Sequence, residues 1–253
     1  MASKIIVDQV QKSGGTAFTL PSADGAADTF MKTDGSGTLS FASAGGGLLG
    51  LVVYTGSGTY TPGGVTNGTA EDEGSADVSK VVIEVQGGGG GGGRSGAATY
   101  MIAGSGGGYA KKFIDVSAMK SAGQTATITV GIGGPGATTS AAGTDGGDSK
   151  WESPTGAITL TVTGGKGVGA YASYGTAVGG SGTNGDINIK GQNGRNNSTG
   201  AGGDSQLGGG GWSGYTGEQA AEDGSGYGAG GGAGYSVNGA AGSAGIVLIW
   251  EYK

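Results

Sequence analysis

Residues 86–94 read QGGGGGGGR, seven glycines directly behind the strand-like KVVIEV of residues 80–85. Glycine loses more conformational freedom on folding than any other residue, so an ordered run must offset that cost elsewhere. A run without side chains cannot do so by burying them. Two readings compete: a flexible linker, or backbone held by hydrogen bonds to neighbouring segments, because buried N–H and C=O groups must be paired. The run is not isolated. Glycine makes up 66 of 253 residues, and glycine-rich segments recur at 87–93, 104–108, 131–136, 164–169, 179–182, 200–203, 208–211, 228–234 and 239–245. A linker would separate two domains, whereas strand-patterned sequence continues on both sides of this run. Recurrence favours polyglycine as a structural element.

The polyproline II conformation turns every three residues and makes no internal hydrogen bonds, so its polar groups point outward. Without Cβ atoms, such rods approach closely enough to pair on several sides at once. Residues 87–93 are therefore read as the first and longest rod of a packed layer, entered from KVVIEV. Collagen is excluded, because proline numbers only 4 and glycine keeps no strict three-residue register.

Between the glycine segments the sequence reads as strand. LLGLVVY (48–54) is a continuous apolar run, and TATITVGI (125–132) alternates with Ile128, Val130 and Ile132 on one face. AITLTVT (157–163) turns Ile158, Leu160 and Val162 to one side, and GDINIKG (185–191) is expected to turn Ile187 and Ile189 inward. GIVLIWEYK (245–253) is apolar on both faces, as suits a central strand. SAMKSAGQ (117–124) holds one helical turn at most. The fold class expected is all-β: β-sandwich-like strands combined with a packed layer of polyglycine II helices, preceded by a short extended N-terminal segment. Two domains are expected, 1–45 and 46–253, with AGGG (44–47) as the hinge. The first contains the turn signals Asp24-Gly25 and Asp34-Gly35 and is too short for a core of its own. The acidic stretch 66–77 reads as an exposed insertion.

The chain has no cysteine and no histidine, which excludes disulfides, zinc sites built on those residues, and nucleophile–histidine catalysis. A net charge of −6 argues against a nucleic-acid partner. No apolar run is long enough to span a membrane, so no membrane insertion is expected, and the chain reads as soluble and made in a cytoplasm. GxGxxG-like matches are unavoidable at this glycine content, and none has the strand–turn–helix context of a dinucleotide site. Paired acids (Glu71–Glu73, Glu222 and Asp223) are the remaining catalytic option, but adjacent acids in polar loops are usually solvated. Neither enzyme activity nor a cofactor or metal is expected. The repeated GGDS of 146–149 and 202–205 reads as local Asx capping, with a calcium site at Asp145, Asp148 and Asp204 as the sharper alternative.

Large side chains outside the strands gather between glycine runs. Tyr171, Tyr174, Arg195, Asn196, Asn197, Trp212, Tyr215, Tyr227 and Tyr235 occupy such stretches. Rigid amphipathic rings beside adaptable polar groups are the chemistry of a recognition surface. The alternative is that some tyrosines are filler over glycine faces.

The succession YTGSGTYTPGGV, KVVIEVQGGGGGGG, GGGYAKKFIDV, TITVGIGG, GGDS, GGGG and GIVLIWEY resembles the glycine-rich domain at the ends of bacteriophage tail fibres. It is similar in character to the receptor-recognising adhesins of T-even-like phages, over roughly residues 51–253. LPSADGAADTFMKTDGSGTLSF also looks like short N-terminal segments of phage fibre proteins. The resemblance implies a virion location in the tail fibre after synthesis in the host cytoplasm, and binding to a host bacterial surface receptor (protein or polysaccharide) through the aromatic and polar stretches named above. It also implies a homotrimer and attachment to other virion tail proteins through residues 1–45. The chain departs from those adhesins in carrying its own N-terminal segment and the acidic 66–77 stretch. Three other classes stay open: a purely structural virion protein without receptor contact, an ice-binding protein, and a depolymerase.

Overall fold

The computed structural model describes residues 9–11, 13–15, 17–23, 29–43, 47–63, 78–96, 101–167, 177–195, 200–215 and 219–253. Residues 44–46 of the expected 44–47 hinge, and the whole acidic 66–77 stretch with its approach at 64–65, lie outside them. The chain forms two compact units, Met1–Leu48 with Lys253, and Leu49–Tyr252.

The first unit contains two hairpins, β1 (Gln9–Gln11) with β2 (Ala17–Thr19) and β3 (Thr29–Thr33) with β4 (Leu39–Ser43). A bond from Thr19 N to Gly37 O joins them. The Asp34-Gly35 turn forms as its sequence predicts: Asp34 Oδ1 accepts from the amides of Ser36 at 2.8 Å and Thr38 at 3.1 Å. Those amides hold the Asp34 carboxyl down at about 2. Val10, Phe18, Phe30 and Met31 remain largely exposed.

The second unit begins with a sandwich. One sheet is ordered β14 (Ile187–Ile189), β9 (Tyr109–Asp115), β7 (Lys80–Gln86), β17 (Ile246–Tyr252) and β5 (Leu48–Tyr54). The other is ordered β13 (Gly182–Thr183), β12 (Thr159–Val162), β11 (Ser149–Glu152), β10 (Ala126–Thr129) and β6 (Gly58–Tyr60). Val81, Ile83, Val85, Val247 and Ile249 of the first sheet pack on Tyr60, Ile128, Trp151, Leu160 and Val162 of the second. Among the described residues α1 (Ser117–Ser121) is the only helix, and it is short, as expected. Ile187 and Ile189 do not turn inward. They lie on the edge strand β14 and are 51% and 36% exposed.

The strands then change character without a break. Residues 87–93 leave β7 in an extended form whose amides address three neighbours in rotation. Gly87, Gly90 and Gly93 donate to Gly108, Ser105 and Ile102, while Gly88 and Gly91 donate to Gly147 and Thr144. Gly89 and Gly92 donate to Ser243 and Ala240. The carbonyls rotate likewise, Gly88 accepting from Gly165, Gly89 and Gly92 from Gly134 and Ala137, and Gly90 and Gly93 from Gly231 and Gly234. A β-strand alternates between two partners. A three-residue cycle to six partners is the pattern of a packed polyglycine II rod.

Segments 102–108 and 228–234 are surrounded in the same way, and the three rods touch one another. Around them, among the described residues, runs a closed ring of rods: 131–137, 141–148, 163–167, 177–181, 190–195, 200–205, 207–213, 220–225 and 239–245. Each ring rod bonds to the next, as in Gly146 N to Gly165 O, Lys166 N to Val178 O, Gly191 N to Gly180 O and Gly202 N to Gly211 O. Nine is the number of neighbours that hexagonal packing places around three mutually touching rods. Ile132 explains how one sequence expectation failed. It follows β10 into the ring, where a three-residue period replaces the two-residue one, and it ends 71% exposed.

Candidate functional site

A rod with three-fold symmetry presents successive residues to three directions. In the inner rods all three directions meet neighbouring backbone, and a Cβ on Gly89, Gly92, Gly104 or Gly232 would overlap a carbonyl of another rod. A ring rod that touches two inner rods, such as 163–167, turns one residue in three to solvent, and one that touches a single inner rod, such as 190–195, turns two in three. Thr163 and Lys166, Asp145 and Asp148, and Gln192 and Arg195 share this spacing and are all exposed. The outward amides of ring rods have no rod beside them, and side chains take that place. Asp148 accepts from Gly164 N, Asp145 from Gly167 N, Asn193 from Gly179 N, Asp204 from Gly210 N and Asp223 from Ala241 N, all at 2.7–3.0 Å. Lys166 also pairs with Asp145 at 2.7 Å, which pushes its ammonium upward in pKa.

These bonds revise the reading of the two GGDS motifs. Asp148 and Asp204 cap amides of the neighbouring rod, sixteen and six residues on, rather than a local turn. Among the described residues no cluster of acids is arranged to hold a metal ion, and no helix is long and apolar enough to cross a membrane.

The rods also set where the chain turns. It leaves the layer after Ser95, Ala137, Gly167, Arg195, Tyr215 and Tyr235, all at one end. It returns there at Met101, Ala141, Ala177, Gly200, Gln219 and Gly239, as the pairs Gly93–Ile102, Arg94–Ala141, Ala137–Gly239, Gly194–Ala177, Arg195–Ala201 and Tyr215–Gln219 show. The sandwich lies at the other end, because β7, β10 and β12 lead into rods there and β9, β11 and β17 receive them. Three short parallel strands, β15 (Gly214–Tyr215), β16 (Gly234–Tyr235) and β8 (Arg94–Ser95), line the far end. Arg94, at the end of the seven-glycine run, fastens two of its connections by donating to Thr138 O at 2.6 Å and Asn238 Oδ1 at 2.9 Å.

The predicted recognition residues do not share one place. Tyr215 and Tyr235 lie side by side at the far end, ring centroids 5.8 Å apart. Both pack on Met101, Ala103 and Ala233, so they are in part the filler that the sequence allowed for. Arg195 stands at the same end, and Trp212 is one turn of rod from it and 66% exposed. Tyr227 is at the opposite end, bridged to Leu207 beside the sandwich. Tyr171, Tyr174, Asn196 and Asn197 lie outside the described residues.

One concave feature joins members of this set. Gln192, Arg195, Ala201, Gly202, Asp204, Gly210 and Trp212 line a groove of about 160 Å³. Its floor is the rod 200–205, whose outward residues there are Ala201 and Asp204. The flanking rods raise Gln192 and Arg195 on one side and Trp212 on the other. Sequence reasoning reached Arg195 and Trp212 as recognition residues, named Asp204 only as a capping or calcium residue, and did not name Gln192. It also missed the rods 141–148, 190–195 and 220–225. Their signal is present but sparse: a small residue every third position (Gly143 and Gly146, Gly191 and Gly194, Ala221 and Gly224).

No curated protein matches the sequence. A family model described as the glycine-rich domain matches residues 66–251, which takes in every rod of the layer and all the sandwich strands but β5 and β6. The chain belongs to that glycine-rich domain family.

Proposed function

We propose that the chain is a bacteriophage tail-fibre or tail-tip protein that binds a host surface receptor with the far end of its rods. One observation carries this reading. A backbone-bonded layer gathers six of its connections at one end, with Arg195, Trp212, Tyr215 and Tyr235 at or near it, and turns its other end to the sandwich. Recognition loops on a stiff scaffold bind without a large ordering cost. Tyr171, Tyr174, Asn196 and Asn197 join the proposed surface through their place in the sequence between rods that end there. Tyr227 has no part in that end. The first unit supports the other half of the proposal. Its two hairpins bury almost no side chain and expose Val10, Phe18 and Met31 along an apolar groove, as suits a segment completed by further copies in a trimer or by another tail protein.

The test is adsorption. Recombinant protein should bind host cells and compete with a phage that displays it, and Trp212→Ala should weaken both without changing the melting temperature. Protein that is found in the virion yet neither binds nor competes would instead be structural.

A further inference from the structure

The groove beside Trp212 has a composition that the receptor-binding reading alone does not require. The ring offers three broad sides, each centred on a rod that touches two inner rods: 163–167, 239–245 and 200–205. On the first side the middle rod carries Lys166, which is tied down by Asp145. On the second it carries Ala241, whose amide is capped by Asp223, with no aromatic ring on either flank. Only on the third does the middle rod, with Ala201 and Asp204, meet an exposed aromatic wall and a cation. Trp212 is 66% exposed, while the other tryptophans belong to β11 and β17 of the sandwich. Exposing an indole at the rim of a groove forgoes its burial and leaves a flat apolar face.

The polar groups of the groove are partly used and partly left over. Gln192 Oε1 accepts from Asp204 N at 3.0 Å, and Asp204 Oδ1 accepts from Gly210 N at 2.8 Å. Both side chains are thereby held in place. Among the described residues no bond engages Gln192 Nε2 or Asp204 Oδ2, so one donor and one acceptor remain. Arg195 closes the upper end, and among the described residues the ion pairs all use lysines. A guanidinium without a carboxylate partner presents a planar fork suited to bidentate binding of one.

From this geometry we infer that the groove is a binding subsite for a single pyranose residue bearing a carboxylate, a uronic acid or related sugar acid of a surface polysaccharide. The sugar ring lies on the indole of Trp212, its carboxylate meets Arg195, and its hydroxyls meet Gln192 Nε2 and Asp204 Oδ2. A planar aromatic surface accepts the apolar C–H face of a pyranose, which a peptide side chain does not present in combination with several hydroxyls. The groove's small volume limits it to one residue of a chain that continues beyond either end. This inference deepens the proposed receptor binding and rests on it for its biological meaning, although the binding itself does not.

The experiment titrates the full chain with the methyl glycosides of glucuronic and galacturonic acid, each beside its own methyl ester, and follows tryptophan fluorescence and ligand NMR. The esters keep ring and hydroxyls but lose the charge. Binding of an acid, weakened about tenfold in its ester, is the expected result. Trp212→Ala should weaken the acid about tenfold, the loss of one aromatic contact, and remove the fluorescence change. Arg195→Gln should cost between tenfold and a hundredfold for the acid and little for the ester. Unchanged melting temperatures for both variants separate lost binding from lost fold. Equal binding of acid and ester, or equal binding by Arg195→Gln, overturns the assignment of the carboxylate. No binding of any of the four sugars overturns the subsite. If the chain adheres to bacteria and no sugar acid binds or competes, the subsite is wrong while receptor binding stands. If a sugar acid binds but the chain adheres to no cell, receptor binding falls and the subsite stands.

Discussion

The second unit has two interiors built on opposite terms. In the sandwich, Trp151, Leu160, Ile83 and Ile249 fill the space between two sheets, and side-chain burial supplies the stabilisation. In the rod layer, residues 87–93 offer no side chain, and each inner rod is held by hydrogen bonds to six neighbours. Gln86 stands at the changeover. It is fully buried, and its amide donates to the carbonyls of Gly107 at 3.0 Å and Gly108 at 2.7 Å. The comparison teaches that a protein can pack backbone against backbone as tightly as side chain against side chain. It does so where nearly every Cβ is absent or turned to a free direction, the inner rods admitting little beyond the small Ala103, Ser105, Ala229 and Ala233.

That contrast predicts unequal tolerance to change. Gly90→Val should be the most damaging substitution. A Cβ there would run into the backbone of Lys166 and lie 2.7 Å from Gly167 N, and backbone on all sides cannot yield. A loss above about 5 kcal/mol, read as failure to fold or collapse of the melting temperature, is expected. Retention of the wild-type melting temperature would disprove the packed rod. Gly209→Ala is the matched control, since its Cβ meets only the flexible Ser225 Oγ at 3.3 Å. It should stay within about 0.5 kcal/mol of wild type in denaturant unfolding. Leu160→Ala, in the other interior, should cost about 2–5 kcal/mol, because the sandwich relaxes only partly around the cavity.

Alkaline pH should also separate the two interiors. Burial, reinforced by nearby Glu251, raises the Tyr54 phenol from 10.0 to about 12. Burial likewise pushes Tyr60 and Tyr109 upward, where their hydroxyls donate to Glu251 and Glu84. A phenol whose folded pKa is raised contributes its full stabilisation below the unfolded value of 10 and loses it as pH rises through 12. The three inner rods hold no titratable side chain. Tyrosinate absorbance and thermal melts between pH 9 and 12 should therefore show the sandwich tyrosines resisting ionisation while stability falls. Ionisation of all tyrosines near pH 10 with no loss of stability would contradict this. A small effect belongs to the rim, where Asp148→Ala should lower the melting temperature by about 2 °C, because the amide of Gly164 regains water on its open side.

Much of this was legible in the residues. KVVIEV, AITLTVT and GIVLIWEYK became β7, β12 and β17, because period-two burial is a local pattern that any sheet must satisfy. The run 87–93 was legible as a rod for a related reason, since glycine leaves the backbone only itself to pair. Ile132, Ile187 and Ile189 were misjudged because alternation does not reveal where a strand meets solvent or changes period. The capping roles of Asp148 and Asp204 were invisible for the same reason. Each depends on which rod lies alongside, which the local sequence around the aspartate does not encode.

By itself, then, the sequence determined the kinds of element and the residues unable to tolerate a side chain, because Cβ sterics and burial period act over a few positions. Tertiary structure decided the rest. The packing of rods chose which residues of each turn face solvent, placed Tyr227 at one end and Tyr235 at the other, and set Arg195 across Ala201 from Trp212. Those choices follow from contacts between segments far apart in the chain, which no local spacing encodes.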